Sequence, residues 1–284
     1  MNHIKMVRYH WLSILSTIAT IVFLFSAFWI IGDIFHQGVT GFHWSFLVEE
    51  PIHSGRQGGI FPILLSTMII VFLAIMFALP IGVFAAVFLF FESENGSFMA
   101  KFLLKLIDIL ASTPSIVFGL FGNAFFVLIL KLGFSLLTGG LTLACMILPT
   151  VVRTLQIGLQ SISIDLRRTV DSLGLSPFSI FKKIIFPLII PSLVMGVILG
   201  IARSLAETAA LLFTSGYVVR IPQSILDSGR ALSVHIYELA MNIPGGNTNA
   251  YASALVLITL LFIINSSAMA VSHLWMKKRG YYEQ

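Results

Sequence analysis

Arg203 and Glu207 stand four residues apart inside residues 188–213, a stretch that carries no other charge. On an α-helix this spacing puts both on one face, roughly 6 Å apart along the axis. A guanidinium is permanently charged and offers a planar fork that fits the oxygens of an oxyanion. A carboxylate beside it can balance that charge or accept a hydrogen bond from a protonated ligand. Ser204, Thr208 and Thr214 add hydroxyls to the same stretch, although Ser204 and Thr208 are equally able to bond back to their own helix. Such a pair is costly in lipid: an arginine near the bilayer centre costs about 2.5–3.5 kcal/mol on insertion scales. The apolar residues of the run return about 4–8 kcal/mol together, so the segment inserts near break-even and its charges need partners or water. Two readings follow: a structural ion pair between helices, or a polar contact on a path through the membrane.

The elements that would position this pair are membrane helices. The chain has 284 residues, of which 57% are hydrophobic and only 10% charged, with a mean hydropathy of +0.98. Soluble domains carry about 25% charged residues, so the composition describes an all-α polytopic membrane protein. Six spans are expected, over residues 11–32, 61–91, 108–130, 135–156, 188–214 and 251–275. Lys5 and Arg8 precede the first apolar run, and no small-residue cleavage site follows it, which predicts a retained anchor rather than a signal peptide. Residues 1–60 read as this anchor with the first outer loop, 61–276 as the transmembrane domain and 277–284 as a basic tail.

Orientation follows from the basic residues. With the N-terminus inside, Lys5, Arg8, Lys101, Lys105, Arg153, Arg167, Arg168, Lys182, Lys183, Lys277, Lys278 and Arg279 fall on the inner side. Arg56, Lys131, Arg220 and Arg230 fall outside, so the positive-inside rule places both termini in the cytoplasm. The long outer loops are then 33–60 and 215–250. The second has an amphipathic middle (Ile225, Leu226, Leu232, Ile236, Leu239) and ends in the turn signal Pro244-Gly245-Gly246-Asn247. It is expected to lie along the interface or dip back into the membrane.

Between the fourth and fifth spans, residues 157–187 show helical spacing of Ile162, Leu166, Val170 and Leu173, flanked by Asp165, Arg167, Arg168 and Asp171. Gly174 reads as a helix stop and Ser176-Pro177 as the start of a second helix. Such an element either lies on the membrane surface or docks into a groove on a partner.

Here the sequence resembles a known family. Leu173-Gly174 followed by Ile185-Phe186-Pro187 is similar to the cytoplasmic loop signature of ABC importer permeases, with Arg168-Thr169-Val170 where that family usually has Glu-Ala-Ala. The segment from Arg203 through Glu207-Thr208-Ala209-Ala210-Leu211-Leu212-Phe213 to Thr214 resembles permeases of phosphate-specific importers of the PstA type, which usually have proline at the position of Ala210. Gly58-Gly59-Ile60, Pro114-Ser115-Ile116-Val117-Phe118-Gly119, Pro149-Thr150-Val151-Val152-Arg153-Thr154 and Val234-His235-Ile236-Tyr237 extend the resemblance over about residues 58–275.

The resemblance implies a type I ABC importer permease in the cell or inner membrane, importing inorganic phosphate. Its partners would be a second permease of related type, two ATPases at the cytoplasmic face and an extracytoplasmic phosphate-binding protein. Arg168, Thr169, Val170, Asp171, Leu173, Gly174 and Pro187 would contact the ATPase. Arg203, Glu207, Ser204, Thr208 and Thr214 would line the path, with Glu207 neutralising Arg203 at rest and accepting a P–OH hydrogen bond during passage. Sulfate has no such proton and would meet an unpaired, like-charged contact.

Other classes fit less well. No Gly-x-x-x-x-Gly-Lys-Ser/Thr loop is present, so any ATP hydrolysis belongs to a separate subunit. A gradient-driven transporter would need more intramembrane carboxylates than Glu207 supplies. A membrane enzyme would need a convergent nucleophile, acid and base. A permease for sulfate or molybdate remains the nearest alternative. His36, His43 and His53 fit no metal-ligand spacing and the single Cys145 can form no intrachain disulfide, so no cofactor or metal is expected. The basic net charge belongs to the membrane topology, and lipid rather than nucleic acid is its counterpart.

Overall fold

The computed structural model describes residues 2–92, 97–160 and 177–278. Its helices are α1 (Asn2–Gly41), α2 (Trp44–Val48), α3 (Phe61–Glu92), α4 (Phe98–Ser112), α5 (Ser115–Gly122) and α6 (Leu136–Gln160), then α7 (Pro177–Ile180), α8 (Phe186–Leu205), α9 (Ala209–Leu212), α10 (Leu232–Met241) and α11 (Asn247–Lys278). A two-residue antiparallel ribbon, β1 (Pro51–Ile52) with β2 (Gln57–Gly58), closes the first loop. Five helices are long and apolar enough to cross a membrane, and the bent pair α4–α5 makes a sixth crossing if counted as one span.

α3 and α6 form the central pair. A Cβ on Gly140 would lie 2.6 Å from the Leu73 Cβ, and one on Gly82 2.7 Å from a Val151 methyl. These glycines let the two backbones approach closely, the usual device for helix association in lipid. Buried Ile70, Leu73, Ala74, Leu143, Met146 and Ile147 fill one core cluster around the contact. Buried Leu89, Ile107, Leu155 and Ile189 fill a second, further along the bundle. Pro80, Pro149 and Pro191 sit inside α3, α6 and α8 without ending them, as neighbouring helices permit at membrane depth.

Two expected spans differ from the structure. Residues 108–130 are not one helix: α4 ends at Ser112, Thr113 is extended (φ −75°, ψ 128°), and Pro114 opens a new direction 103° away. The steric clash between a proline ring and the preceding residue explains the break. The stretch 188–214 is also interrupted. The helical run starts earlier, through α7 and a π-helical segment at Phe181–Ile185, and stops at Leu205. α1 also runs past the expected end of its span to Gly41, where Gly38 and Gly41 pack against Tyr251, Leu255 and Thr248 of α11.

The loop expected at 215–250 is in part packed into the protein. Leu232, Val234 and His235 of α10 are buried, whereas Ile225 and Leu226 stay exposed. Buried Arg230 donates to the Tyr217 and Ser54 carbonyls and lies 3.4 Å from His235 Nδ1. His235 packs under the Gly55 turn, where a Cβ would collide with its ring. Burial, and then the Arg230 charge, push the His235 pKa down to about 3.

Two predictions follow. Gly140→Val overpacks the α3–α6 contact and lowers stability by about 1–3 kcal/mol, read as a lower midpoint of thermal aggregation in detergent. For His235, the unfolded chain binds a proton below pH about 6.5 that the folded chain refuses down to about 3. Stability contributed by the neutral ring therefore falls as pH drops through that window, by about 1.4 kcal/mol per unit at most. Thermal midpoints at pH 7.5 and 5.5 check this, and the difference narrows in His235→Asn.

Candidate functional site

The intramembrane charges sit where α8 ends. Arg203 occupies its last turn and is exposed; Glu207 and Thr208 are half-buried in the unwound link before α9. Ala206 N–H still bonds the Ala202 carbonyl, but Glu207 N–H turns back to the Ser204 carbonyl in a tight last turn. The helical register is lost there, so Arg203 and Glu207 do not share a helix face as expected.

Nor do they pair. Arg203 Nη1 donates to Thr150 Oγ1 of α6 at 3.3 Å. Glu207 Oε1 instead accepts the Ala210 N–H at the start of α9, at 3.2 Å. Among the described residues the one ion pair joins Arg153 of α6 to Asp108 of α4. The resting neutralisation of Arg203 by Glu207 is therefore corrected: once the helix unwinds, the carboxylate is captured by a nearby free N–H of the kind every helix start leaves open.

The hydroxyls divide. Thr208 is half-buried beside Glu207. Ser204 is 1% exposed and its Oγ has no partner. Thr214 is fully buried and its Oγ donates to the Ala210 carbonyl. Ser204 and Thr214 are thus turned away from the surface that exposes Arg203. On that surface Met195, Leu199 and Arg203 follow one another at four-residue intervals along α8, all exposed. Thr150 lies close to the middle of the 25-residue α6, so Arg203, in the last turn of α8, reaches the middle of its neighbour.

The sequence missed two features here. The first is Asp108, which lies in the second half of α4 and reaches Arg153, whose other nitrogen donates to Gln156. The second is the strap across the break: Ser233 of α10 donates to the Glu207 carbonyl at 2.5 Å. Asn123 and Ser135 act as ties. Asn123 Nδ2 donates to the Phe213 carbonyl, and Ser135 Oγ accepts the Thr138 N–H to cap α6. Pro187 lies in the first turn of α8. Arg168, Thr169, Val170, Asp171, Leu173 and Gly174 lie outside the described residues.

Residues 78–274 match the family described as the binding-protein-dependent transport system inner membrane component. The chain belongs to that family. It is 29% identical over 257 residues to a probable ABC transporter permease protein, YqgI, of Bacillus subtilis, covering 85% of this chain and 87% of that one. It is 32% identical over 245 residues to the phosphate transport system permease protein PstA of Mycobacterium leprae, covering 84% and 79%. Its fold is similar to an inward-facing MetNI methionine ABC transporter chain, with a TM-score of 0.58, 18% identity, and 76% and 94% of the two chains covered. This permease is therefore a multi-pass membrane subunit of the type I ABC importer fold, and transport is its task.

The Arg153–Asp108 pair yields a measurable coupling. Each single change leaves the partner charge unpaired, so the double variant should cost less stability than the sum of Asp108→Asn and Arg153→Gln taken singly. A double-mutant cycle on thermal stability should give a coupling on the order of 1 kcal/mol.

Proposed function

We propose that this permease forms half of a path for inorganic phosphate, with Arg203 as the contact for the anion. The observation that carries the reading is the exposed Arg203 guanidinium at the end of an apolar helix, which bonds the neutral Thr150 hydroxyl and, among the described residues, pairs with no carboxylate. A cation without a carboxylate partner is costly against lipid. Water and a passing oxyanion resolve the cost, and so does a second subunit that completes the path. The unwound link at residues 206–208 supports the same reading, since irregular backbone at membrane depth is tolerated where it lines a cavity or is walled by protein. The phosphate permease names carried by relatives such as the one from Mycobacterium leprae favour phosphate among oxyanions.

Glu207 and Thr208, half-buried, follow Arg203 in the unwound link. A phosphate carrying a P–OH donates it to Glu207 while its oxygens face Arg203; fully ionised sulfate meets the carboxylate as a like charge. Sulfate or molybdate is the second reading, favoured where Glu207 stays captured by Ala210 throughout the cycle. The remaining parts of the proposal are a second permease, two ATPase subunits meeting residues 157–187 at the cytoplasmic face, an outer phosphate-binding protein, and both termini in the cytoplasm.

Arg203→Gln should reduce ATP-driven phosphate uptake by membrane vesicles at least tenfold at unchanged permease level, because the interaction removed is charge-assisted. Normal uptake by that variant would sink the reading. Glu207→Gln should narrow the preference for phosphate over sulfate, measured by competition in the same vesicles.

A further inference from the structure

We infer that Ser233, on the outer helix α10, is a positioning residue for the substrate path: it holds the unwound peptide that keeps Glu207 off Arg203. This rests on the proposed role of Arg203 and Glu207.

In an unbroken helix the Glu207 carbonyl would accept the Leu211 N–H. Here the Leu211 and Leu212 N–H groups both go to the Thr208 carbonyl, one residue on. The Glu207 carbonyl is thereby released in a water-poor setting, where an unsatisfied backbone acceptor is expensive. Ser233 Oγ takes it at 2.5 Å, from 26 residues further along the chain. Ser233 is itself 6% exposed, and the start of α10 is fixed independently, because the Leu232 N–H donates to Thr67 Oγ1 of α3 at 2.8 Å. The donor therefore sits on a rigid mount tied to the central helix pair.

The consequence falls on the carboxylate. With its carbonyl clamped, the Glu207 backbone aims the side chain at the Ala210 N–H and away from Arg203, whose Nη1 is turned to Thr150. Without the clamp, the link can rewind by a residue. Rewinding restores the i, i+4 relation in which the carboxylate and guanidinium face each other. Phosphate must then displace a carboxylate before it meets Arg203. Ser233 thus sets how available the cation is, without touching substrate, and it does so from the outer segment of the chain.

The test uses the assembled transporter in vesicles, with ATP and inorganic phosphate. Ser233→Ala should raise KM for phosphate about 5- to 10-fold, the loss expected for one hydrogen bond, with kcat within about twofold. Ser233→Thr, which keeps the hydroxyl, should restore KM. In a Glu207→Gln background, Ser233→Ala should add no further change in KM, because no carboxylate remains to compete. An unchanged KM in Ser233→Ala overturns the inference, and so does a KM rise of the same size with and without Glu207. If Ser233→Ala fails to reach the membrane, the cycle is run with Ser233→Cys, whose thiol is a weak donor, with the same criteria. Uptake unaffected by Arg203→Gln would defeat the path itself; a normal KM in Ser233→Ala beside a dead Arg203→Gln would defeat only the role of Ser233.

Discussion

The structure depends on one constraint: at membrane depth every backbone N–H and C=O must find a partner within the protein. Most of this chain meets it with uninterrupted helices. The break at residues 206–208 meets it piece by piece. The Ser204 carbonyl takes the Glu207 N–H, Thr208 takes those of Leu211 and Leu212, Glu207 Oε1 takes that of Ala210, and Ser233 supplies the Glu207 carbonyl. With these groups paired, the chain can interrupt a helix next to a charged side chain.

The close contact of α3 and α6 is what makes the surroundings rigid enough for this. Their glycine-mediated approach fixes Thr150, which holds Arg203, and α3 also carries Thr67, which anchors the start of α10. Arg203 and Ser233 are thus referred to the same pair of helices. The segment around α10 adds a second anchorage through Arg230, His235 and the Gly55 turn, all buried together. A displacement of that segment would reach residue 207 through one hydrogen bond.

The bundle was readable in the sequence because hydropathy over twenty residues is a local sum that the bilayer enforces. Pro114 breaks the span expected over 108–130 because proline constrains its neighbour, whereas Pro80, Pro149 and Pro191 are carried inside their helices. The break after Leu205 gave no such sign. Ala206, Glu207, Ala209, Leu211 and Leu212 are ordinary helix formers, and the interactions that stop the helix come from Glu207 reaching forward and Ser233 reaching across. The Asp108 ion pair was not legible for a related reason. Its partner Arg153 is 45 residues away, and nothing in the spacing along the chain joins them.

By itself, then, the sequence determined an all-α membrane protein, the approximate place of its spans, the presence of Arg203 and Glu207 in one of them, and the family resemblance that surrounds them. Those properties depend on composition, periodicity and local motif. Only the tertiary structure decided that the two charges do not pair, that Ser204 and Thr214 turn inward, and that Ser233 of α10 bonds the Glu207 carbonyl at the break. The physical reason is that hydrogen bonds in an apolar medium are settled by whichever donor is brought within reach, and reach is a property of packing rather than of sequence distance.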